Sequence, residues 1–402
     1  MLNSWEITKE DDSYPKIVIF VLILLLVFQR ISIPFKDNQI PSALILIYIF
    51  LFYSLFHNKI KINIVRLVFY ILSSTLAISV TLLSKEFSDF SILYLLAIYA
   101  PFVFYADLSY AEYLKIIGVF QKFMVFASLL GIIQLLIQFF GVQYFDLFSF
   151  LPSEFVQEGY NTSYPLVYGS NICKSNGIIF LEPSFFSQLL AISLVIEFIY
   201  FHRIYRMILL IVAIFCTFSG TGILLLAITF PFWVKYLFQR KLALPFFGVM
   251  LLLILVAVFG PADITSSYLS RITEIGTSGS SANMRFIAPY TSMNSFFGSR
   301  SIWLGLGAGA VTGLENVAQA NFPVIPKLVI EYGVLTTAAF TFFLLYSFLH
   351  AQRRFSLALC GAVMYFILSG SLLQPQIVFF LYILIIFFPL ANAKKRYRDY
   401  LV

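Results

Sequence analysis

Residues Pro261–Pro323 read PADITSSYLSRITEIGTSGSSANMRFIAPYTSMNSFFGSRSIWLGLGAGAVTGLENVAQANFP, a polar and glycine-rich segment of a chain that is otherwise strongly apolar. Long apolar runs flank this segment on both sides. Connections longer than about 12–15 residues without regular structure are usually functional or disordered. This one carries three arginines, Arg271, Arg285 and Arg300. This segment is therefore the first candidate for a functional site.

The composition of the whole chain is that of an integral membrane protein. Of the 402 residues, 60% are hydrophobic and only 11% are charged, and the mean hydropathy is +0.92. Soluble domains are roughly 45–50% apolar and about 25% charged. The net charge of +7 does not indicate nucleic-acid binding, because the basic residues form short clusters between apolar runs. The three cysteines lack the spacing of a disulfide framework or a metal site.

The apolar runs predict an all-α fold in which residues 1–402 form one polytopic membrane domain. A membrane span needs about 20 apolar residues, within a range of ~17–25. Twelve segments are candidates: Ile17–Ile33, Pro41–Phe56, Ile64–Leu83, Phe90–Ala106, Leu114–Phe140, Pro183–Phe201, Met207–Phe218, Thr221–Leu237, Leu244–Gly260, Val324–Leu349, Phe355–Leu372 and Gln376–Leu390. The seventh is short, and it can instead form one continuous or re-entrant unit with the eighth. An acidic N-terminus and an apolar run without an A-x-A cleavage site predict a retained first span.

Lysines and arginines in the connections predict the orientation of these spans. With both termini in the cytoplasm, most of the basic residues fall in cytoplasmic connections, as the positive-inside rule requires. Two long connections then lie outside, Gly141–Leu181 and Pro261–Pro323. All three histidines, His57, His202 and His350, map to cytoplasmic connections. No histidine is therefore expected on the external side as a base or a metal ligand.

The first external loop ends in KSNGIIFLEPSFFSQLLAIS, Lys174 to Ser193. Proline is favoured at the first helical position, so Pro183 predicts the start of a helix and Glu182 its cap. Ser184 and Gln188 follow at helical spacing and predict a small, polar face that points into the bundle. A carboxylate at the rim of a membrane bundle is a candidate acid/base or hydroxyl-binding group. The structural alternative is that Glu182 only complements the helix dipole and that the polar face aids helix packing.

In the second external loop, Ser280 or Ser281 can cap a helix, and the spacing of its apolar residues predicts an interfacial helix over residues 284–297. Arg285 would turn from that helix toward the site, and Pro289 would kink it. The alternative is an ordinary interfacial anchor with solvated arginine. The glycines of Gly298–Gly313 allow the backbone to approach other groups closely, and they can form an anion-binding nest beside Arg300. The alternative is that they only make the loop flexible.

The order of these motifs resembles the O-antigen and capsular polysaccharide polymerase (Wzy) family over residues 120–345. The likeness comprises some twelve spans, two large external loops, the E-P-S start at Glu182, and a small-residue turn at Ser219–Gly222. It also includes an arginine in SANMRF, Arg285, then the glycine run LGLGAG, and Glu331-Tyr332-Gly333 at the opening of the next span. One departure is Ser219-Gly220, where many relatives have Ser-Arg.

That resemblance implies a metal-independent glycosyltransferase in the bacterial cytoplasmic membrane. Such an enzyme joins undecaprenyl-pyrophosphate-linked oligosaccharide repeat units into O-antigen, capsular or exopolysaccharide on the outer face, without a cofactor and usually beside a chain-length regulator. Arg285 matches the essential arginine of the second loop. Glu182 is the first candidate for the base, with Glu274, Glu315 and Asp263 as the alternatives. Substrate-binding roles are expected for Arg271, Arg300, Lys174, Ser184 and Gln188. Lys174, Arg271 and Arg300 are also candidates to replace the arginine that many relatives have at the position of Gly220.

Three other functions remain open, of which a teichoic- or peptidoglycan-type glycosyltransferase of similar build is one. An O-antigen ligase shares the topology, but ligases generally carry a histidine in the second large loop, and residues 261–323 contain none. A flippase or other transporter is the non-enzyme alternative. Transporters tend toward repeated halves and ionisable residues at the membrane midplane. Here the polar residues are concentrated in the two long loops.

Overall fold

The computed structural model describes residues 13–36, 38–85, 87–167, 169–260, 264–268, 277, 280–294, 301–318, 320–351, 355–368 and 370–388. Most of these residues are helical. In chain order the helices are α1 (Ser13–Val27), α2 (Ser42–Phe56), α3 (Ile64–Leu83), α4 (Asp89–Tyr99), α5 (Tyr110–Phe139), α6 (Pro183–Ile196), α7 (Ile204–Cys216), α8 (Gly220–Gln239), α9 (Ala243–Phe259), α10 (Ser281–Phe286), α11 (Ala288–Asn294), α12 (Ser301–Leu304), α13 (Ala310–Ala318), α14 (Val324–Ala351), α15 (Phe355–Val363) and α16 (Pro375–Leu381).

Within the described ranges, five helices are long and apolar enough to cross a membrane. They are Ile64–Leu83, Tyr110–Phe139, Pro183–Phe201, Gly220–Gln239 and Val324–His350. Shorter apolar helices lie between them, and each of the twelve predicted segments overlaps one of these longer or shorter helices. The helices α7 and α8 are separate, so the seventh and eighth segments do not form one continuous helix. The chain is a mostly helical membrane protein.

The prediction of a purely helical fold needs one correction, because two small antiparallel sheets join helix ends. Strand β1 (Ser32–Phe35) pairs with β2 (Asn38–Pro41), with Ser32 opposite Pro41. Strand β3 (Ile60–Ile62) pairs with β4 (Phe104–Ala106), a partner far along the chain. Backbone groups that leave a helix still need hydrogen-bond partners, and short strand pairs supply them here. Apolar periodicity over so few residues gave no signal for either sheet.

Helix α6 lies at the centre of the bundle. Its residues from Phe185 to Ile196 are all buried, whereas helices such as α3 and α9 expose much of their apolar surface. A helix that is apolar on all sides is favourable only when neighbours surround it, and α5, α7 and α8 pack against it. At its far end the chain forms a π-helical turn, Glu197–Phe201, where the buried Glu197 carboxylate accepts a 2.7 Å hydrogen bond from Arg203.

Helix α14 contains a break that receives the glycine run of the second long loop. Gly333 has φ 74° and ψ 171° inside the helix, a conformation that only glycine adopts readily. The Ile330 and Glu331 carbonyls near this break accept hydrogen bonds from the amides of Leu306 (2.8 Å) and Gly307 (2.9 Å). The loop thereby provides hydrogen-bond donors for backbone carbonyls that have no partner within α14 because of the break.

The two long loops lie at the same end of the bundle, which we call the loop end. Ser267 of the second loop donates a hydrogen bond to the Leu166 carbonyl of the first loop, at 3.1 Å. The β1–β2 hairpin is there too, because Gln39 donates to the Val156 carbonyl at 3.1 Å and accepts from the Glu158 amide at 3.0 Å. The loop end is therefore a folded layer over the helices.

Candidate functional site

The start of α6 presents a carboxylate at the loop end. Glu182 is the N-cap residue and Pro183 follows in the first turn, as the sequence indicates, but the Glu182 side chain does not cap the helix. Its Oε1 accepts a hydrogen bond from the Asn161 amide at 3.1 Å, and its Oε2 accepts from Ser184 Oγ at 2.8 Å. Both bonds orient the carboxylate and leave further lone pairs available for a substrate.

A guanidinium from the second long loop meets this carboxylate. Helix α10 is capped by Ser280, whose Oγ accepts from the Asn283 amide at 3.1 Å, and it places Arg285 in its last turn. Arg285 Nη2 lies 3.4 Å from Glu182 Oε2, and the two side chains are 21% and 14% exposed. The contact is a single, long N–H···O bond rather than a bidentate pair. Arg285 therefore keeps donors available for another anion.

The predicted interfacial helix over residues 284–297 is two short helices in the structure, α10 and α11, with Ile287 between them. Residues 295–297 lie outside the described residues. Pro289 is the second residue of α11 and is buried. Proline is tolerated in a first helical turn but not in a helix interior. The helix therefore breaks just before Pro289 for the reason that led us to predict a kink there, namely that proline disrupts a helix interior.

Glu182 and Arg285 line a cavity of about 130 Å³ at the loop end. Its walls also include Gly159, Tyr160, Phe185, Asn321, Gly370 and Gln374. The Asn321 amide donates to the Met284 carbonyl at 2.8 Å, which holds this wall beside α10. A carboxylate residue, an arginine and two residues with side-chain amides thus line one space, a set suited to a ligand with anionic and hydroxyl groups.

Tyr160 is part of this wall and stays protonated. Burial, followed by the nearby Glu182 carboxylate, raises the pKa of the Tyr160 hydroxyl above its usual range. Its ring lies edge-on to Phe185, with centroids 5.9 Å apart. A neutral phenol can donate one hydrogen bond and accept others. Tyr160 therefore adds an uncharged polar group beside the ion pair.

A buried ion pair holds the first long loop in place. Asp146 of that loop pairs with both terminal nitrogens of Arg30, which follows α1. The Arg30 carbonyl also accepts from the Gln157 amide at 2.8 Å. Burial raises the pKa of the Asp146 carboxyl, but hydrogen bonds from Arg30 and from the Phe148 amide outweigh it, so that the net shift is downward. These contacts position residues 157–161 over Glu182.

The turn between α7 and α8 supports the start of α6. Thr221 Oγ1 donates to the Ser184 carbonyl at 3.1 Å, and Ser187 Oγ accepts from the Gly222 amide at 2.9 Å. Ser219 and Thr221 hydroxyls are 3.0 Å apart. The sequence presents this Ser-Gly-Thr-Gly stretch only as a tight turn, and the structure adds that it packs against the helix that carries Glu182.

The remaining predicted site residues occupy other positions. Lys174 is 4% exposed, and its ammonium lies 4.2 Å from the centre of the Tyr164 ring, a cation–π contact. Gln188 is 1% exposed inside α6. Neither residue lines the cavity that contains Glu182. Ser184 contacts the Glu182 carboxylate directly. Arg271 and Arg300 lie outside the described residues.

Three cavity residues with polar side chains have no counterpart in the predicted site, namely Tyr160, Asn321 and Gln374. Tyr160 lies in a polar stretch of the first loop, and Asn321 stands just before the proline that precedes α14. Gln374 directly precedes Pro375, which begins α16, just as Glu182 directly precedes Pro183, which begins α6. Applied to Gln374, the same reasoning would have placed this residue at a helix start at the loop end.

Comparisons with protein-family models, with curated proteins and with solved structures found no match to this chain. Chemical inference therefore rests on the site itself. A carboxylate can accept a proton from a hydroxyl, and a guanidinium with spare donors can bind phosphate oxygens. Together the two groups suit a reaction between a hydroxyl nucleophile and a substrate with an anionic leaving group.

Proposed function

We propose that the protein is a polysaccharide polymerase, a glycosyltransferase that joins undecaprenyl-pyrophosphate-linked oligosaccharide repeat units into O-antigen, capsular or exopolysaccharide. The observation that carries the proposal is the contact between Glu182 and Arg285. These residues come from two loops 103 positions apart, and they meet in one cavity at the loop end. The resemblance in motif order to the polymerase family supports the same function.

In the proposed reaction a sugar hydroxyl of the acceptor unit attacks the anomeric carbon of the donor. Glu182 accepts the hydroxyl proton as the new C–O bond forms. The bond between the anomeric carbon and the pyrophosphate oxygen breaks, and its electron pair leaves with the lipid pyrophosphate. Arg285 stabilises the charge that develops on that oxygen. Glu182 later releases this proton to water or to the departing pyrophosphate, so that atoms and charge balance over one turnover.

Because the contact between Glu182 and Arg285 is long, Arg285 can leave the carboxylate and bind the donor pyrophosphate instead. A guanidinium binds phosphate oxygens in a bidentate manner, which a single 3.4 Å contact with a carboxylate does not match. When the donor pyrophosphate engages Arg285, Glu182 loses part of its cationic neighbour. The Glu182 oxygen that Arg285 releases can then accept a hydrogen bond from the acceptor hydroxyl. Donor binding would therefore prepare the base for the acceptor hydroxyl.

The proposal includes a topology. Twelve spans place both termini in the cytoplasm and the loop end on the outer face of a bacterial cytoplasmic membrane. The overlap of every predicted segment with an apolar helix supports this topology, as do the basic clusters in the connections. Lipid-linked donor and acceptor would reach the cavity from the bilayer, and a chain-length regulator is the protein partner that the resemblance suggests.

The direct test is synthesis by the purified protein in lipid nanodiscs with the lipid-linked repeat unit of its host. We expect a ladder of oligomers from the native protein and none from Arg285→Ala or Glu182→Gln at equal protein levels. Full-length polymer from Arg285→Ala would contradict the mechanism. Absence of any oligomer from the native protein would contradict the function.

Deletion of the gene separates the alternatives in the cell. Loss of a polymerase should leave surface glycan as single repeat units. Loss of a flippase should leave lipid-linked units trapped and no surface glycan. Loss of a ligase should leave polymer that is not attached to the lipid A core. Only the first outcome agrees with the proposal.

A further inference from the structure

We infer that Gln374 forms a hydroxyl-binding subsite in the cavity that Arg285 also lines, and that this subsite recognises one hydroxyl group of the acceptor sugar and thereby selects the acceptor. This inference rests on the proposed function and extends it to a segment of the chain that the sequence resemblance does not cover. Gln374 lies beyond residue 345, at the start of α16, and lines the same cavity as Glu182 and Arg285.

The position of Gln374 is set by backbone bonds rather than by its side chain. It is the N-cap residue of α16, and its carbonyl accepts from the Ile377 and Val378 amides at 3.2 Å and 3.1 Å. Glutamine is not a favoured N-cap residue, and its side chain makes no cap hydrogen bond. Local helix structure therefore does not explain the amide at this position.

A second observation points to a ligand. Gln374 Oε1 is buried and has no hydrogen-bond partner among the described residues. Buried acceptors are almost always paired with protein or with bound molecules, because an unpaired one costs free energy. Gln374 also lines the cavity, so a ligand bound there supplies such a partner when the side chain turns its amide toward that space.

The chemistry of an acceptor decides which part of the substrate it can bind. Gln374 Oε1 needs a donor, and the ionised oxygens of a pyrophosphate are acceptors only. A sugar hydroxyl supplies a donor and also accepts from an amide nitrogen. The cavity is thus divided, with Arg285 suited to the anion and Gln374 suited to a hydroxyl. Sites that hydrogen-bond a substrate hydroxyl reject analogues that lack it, because their polar groups then remain unpaired.

The test compares Gln374→Met with the native protein in nanodiscs, on acceptor units in which single hydroxyl groups are replaced by hydrogen. Methionine has nearly the length of glutamine and cannot make the same bonds. For the native protein we expect one deoxy acceptor to have a KM at least about tenfold higher than the complete acceptor. In Gln374→Met that difference should disappear, with the KM of the complete acceptor raised about tenfold and kcat changed less.

Gln376→Met is the matched control for the loss of a buried glutamine from α16. Gln376 is 2% exposed, does not line the cavity, and donates from Nε2 to Gln157 Oε1 at 3.3 Å. This variant should keep the discrimination between complete and deoxy acceptors, whatever its stability. If Gln374→Met unfolds, Gln374→Asn keeps an amide and should lower the discrimination without abolishing it.

The outcomes separate this inference from the proposed function. If Gln374→Met discriminates between complete and deoxy acceptors as the native protein does, the subsite is wrong. If Arg285→Ala is inactive in the same experiments, the polymerase mechanism is still supported. A second readout is the rise in melting temperature of each protein on binding the complete or deoxy unit. If the native protein makes no polymer but its melting temperature distinguishes these units through Gln374, the subsite stands and the polymerase fails. If neither readout depends on Gln374, the subsite is wrong.

Discussion

Gly222 lies so close to Ser187 that a β-carbon at position 222 would be 2.2 Å from Ser187 Oγ and 2.4 Å from the Ser187 carbonyl oxygen. No real β-carbon approaches that closely, so the start of α8 can meet α6 only through glycine. The Gly222 amide uses the close approach to donate to Ser187 Oγ at 2.9 Å. Because α6 carries Glu182 at its start, this packing contact bears on the candidate site.

Gly222→Ala should therefore destabilise the protein and reduce polymer synthesis. The Ser187 side chain can rotate away from a new methyl group, but its carbonyl cannot, so α8 must shift from α6. Overpacking of this kind costs about 1–3 kcal/mol. The measurement is the melting temperature in detergent, together with polymer yield in nanodiscs.

Gly220→Ala is the control for this prediction, because a β-carbon at position 220 meets no atom within 4 Å. It changes the same turn by the same methyl group and should leave the melting temperature unchanged. Equal effects of the two substitutions would show that the close approach at Gly222 does not limit stability.

The sequence predicted the helical part of the fold well, because long apolar runs have few alternatives in a membrane protein. It also singled out Glu182 and Arg285, which lie in contact and line one cavity. Pro183 marked the helix start behind Glu182, and Ser280 marked the cap of the helix that carries Arg285. These signals are local, and local signals can be read from a single sequence.

What the sequence missed depends on contacts between distant segments. Pro375 gives a local signal that Gln374 stands at a helix start, but neither Gln374 nor Tyr160 has a local pattern that places it beside Glu182 and Arg285. That proximity depends on the packing of α16 and the first long loop at the loop end. Lys174 was expected at the site because of its charge and proximity to Glu182 in sequence. Its stacking on Tyr164 is a tertiary contact that charge counting does not predict.

The second prediction concerns the break in α14. A β-carbon at Gly333 would be 2.1 Å from the Trp303 carbonyl oxygen, and its φ of 74° with ψ of 171° is strained for any other residue. Gly333→Ala should therefore lower stability by at least about 2 kcal/mol. The check is thermal unfolding followed by tryptophan fluorescence.

Gly313→Ala is the comparison for Gly333→Ala. Gly313 lies in α13, where a β-carbon meets no atom within 4 Å. Alanine is favoured over glycine in a helix by about 0.5–1 kcal/mol, so this substitution should be neutral or stabilising. A comparable loss in both variants would argue against the packing of the glycine run into the α14 break.

The third prediction is a pH dependence that comes from Asp146. Its folded pKa lies below the unfolded value of ~3.9, so its pairing with Arg30 stabilises the fold above that pH. This contribution is lost as the pH falls through the folded pKa. Asp146→Asn leaves the 3% exposed Arg30 without its anion, but the Asp146 side chain is 22% exposed and partly screened by water, so we expect a cost of about 1–2 kcal/mol at pH 7. The difference in melting temperature between native and variant should shrink as the pH falls from about 5 toward 2.

Asp107→Asn separates this effect from a general loss of carboxylates. Asp107 accepts a 2.5 Å hydrogen bond from Lys61, whose side chain is 62% exposed. Exposed pairs contribute little because water and salt screen them. This variant should unfold like the native protein at every pH. A matching pH effect in both variants would assign the acid sensitivity to net charge rather than to the buried pair.

The last prediction tests whether Arg285 acts through geometry or through charge alone. Arg285→Lys keeps the positive charge but replaces the planar fork, which binds two phosphate oxygens at once, with a single ammonium. Loss of one such charge-stabilising contact typically costs ~10²–10³ in rate, and we expect a reduction of that size in kcat for polymer synthesis. Arg240→Lys, at an exposed position after α8, is the matched control and should retain the native rate. Native activity in Arg285→Lys would mean that charge alone is sufficient, and the bidentate role of Arg285 would then be wrong.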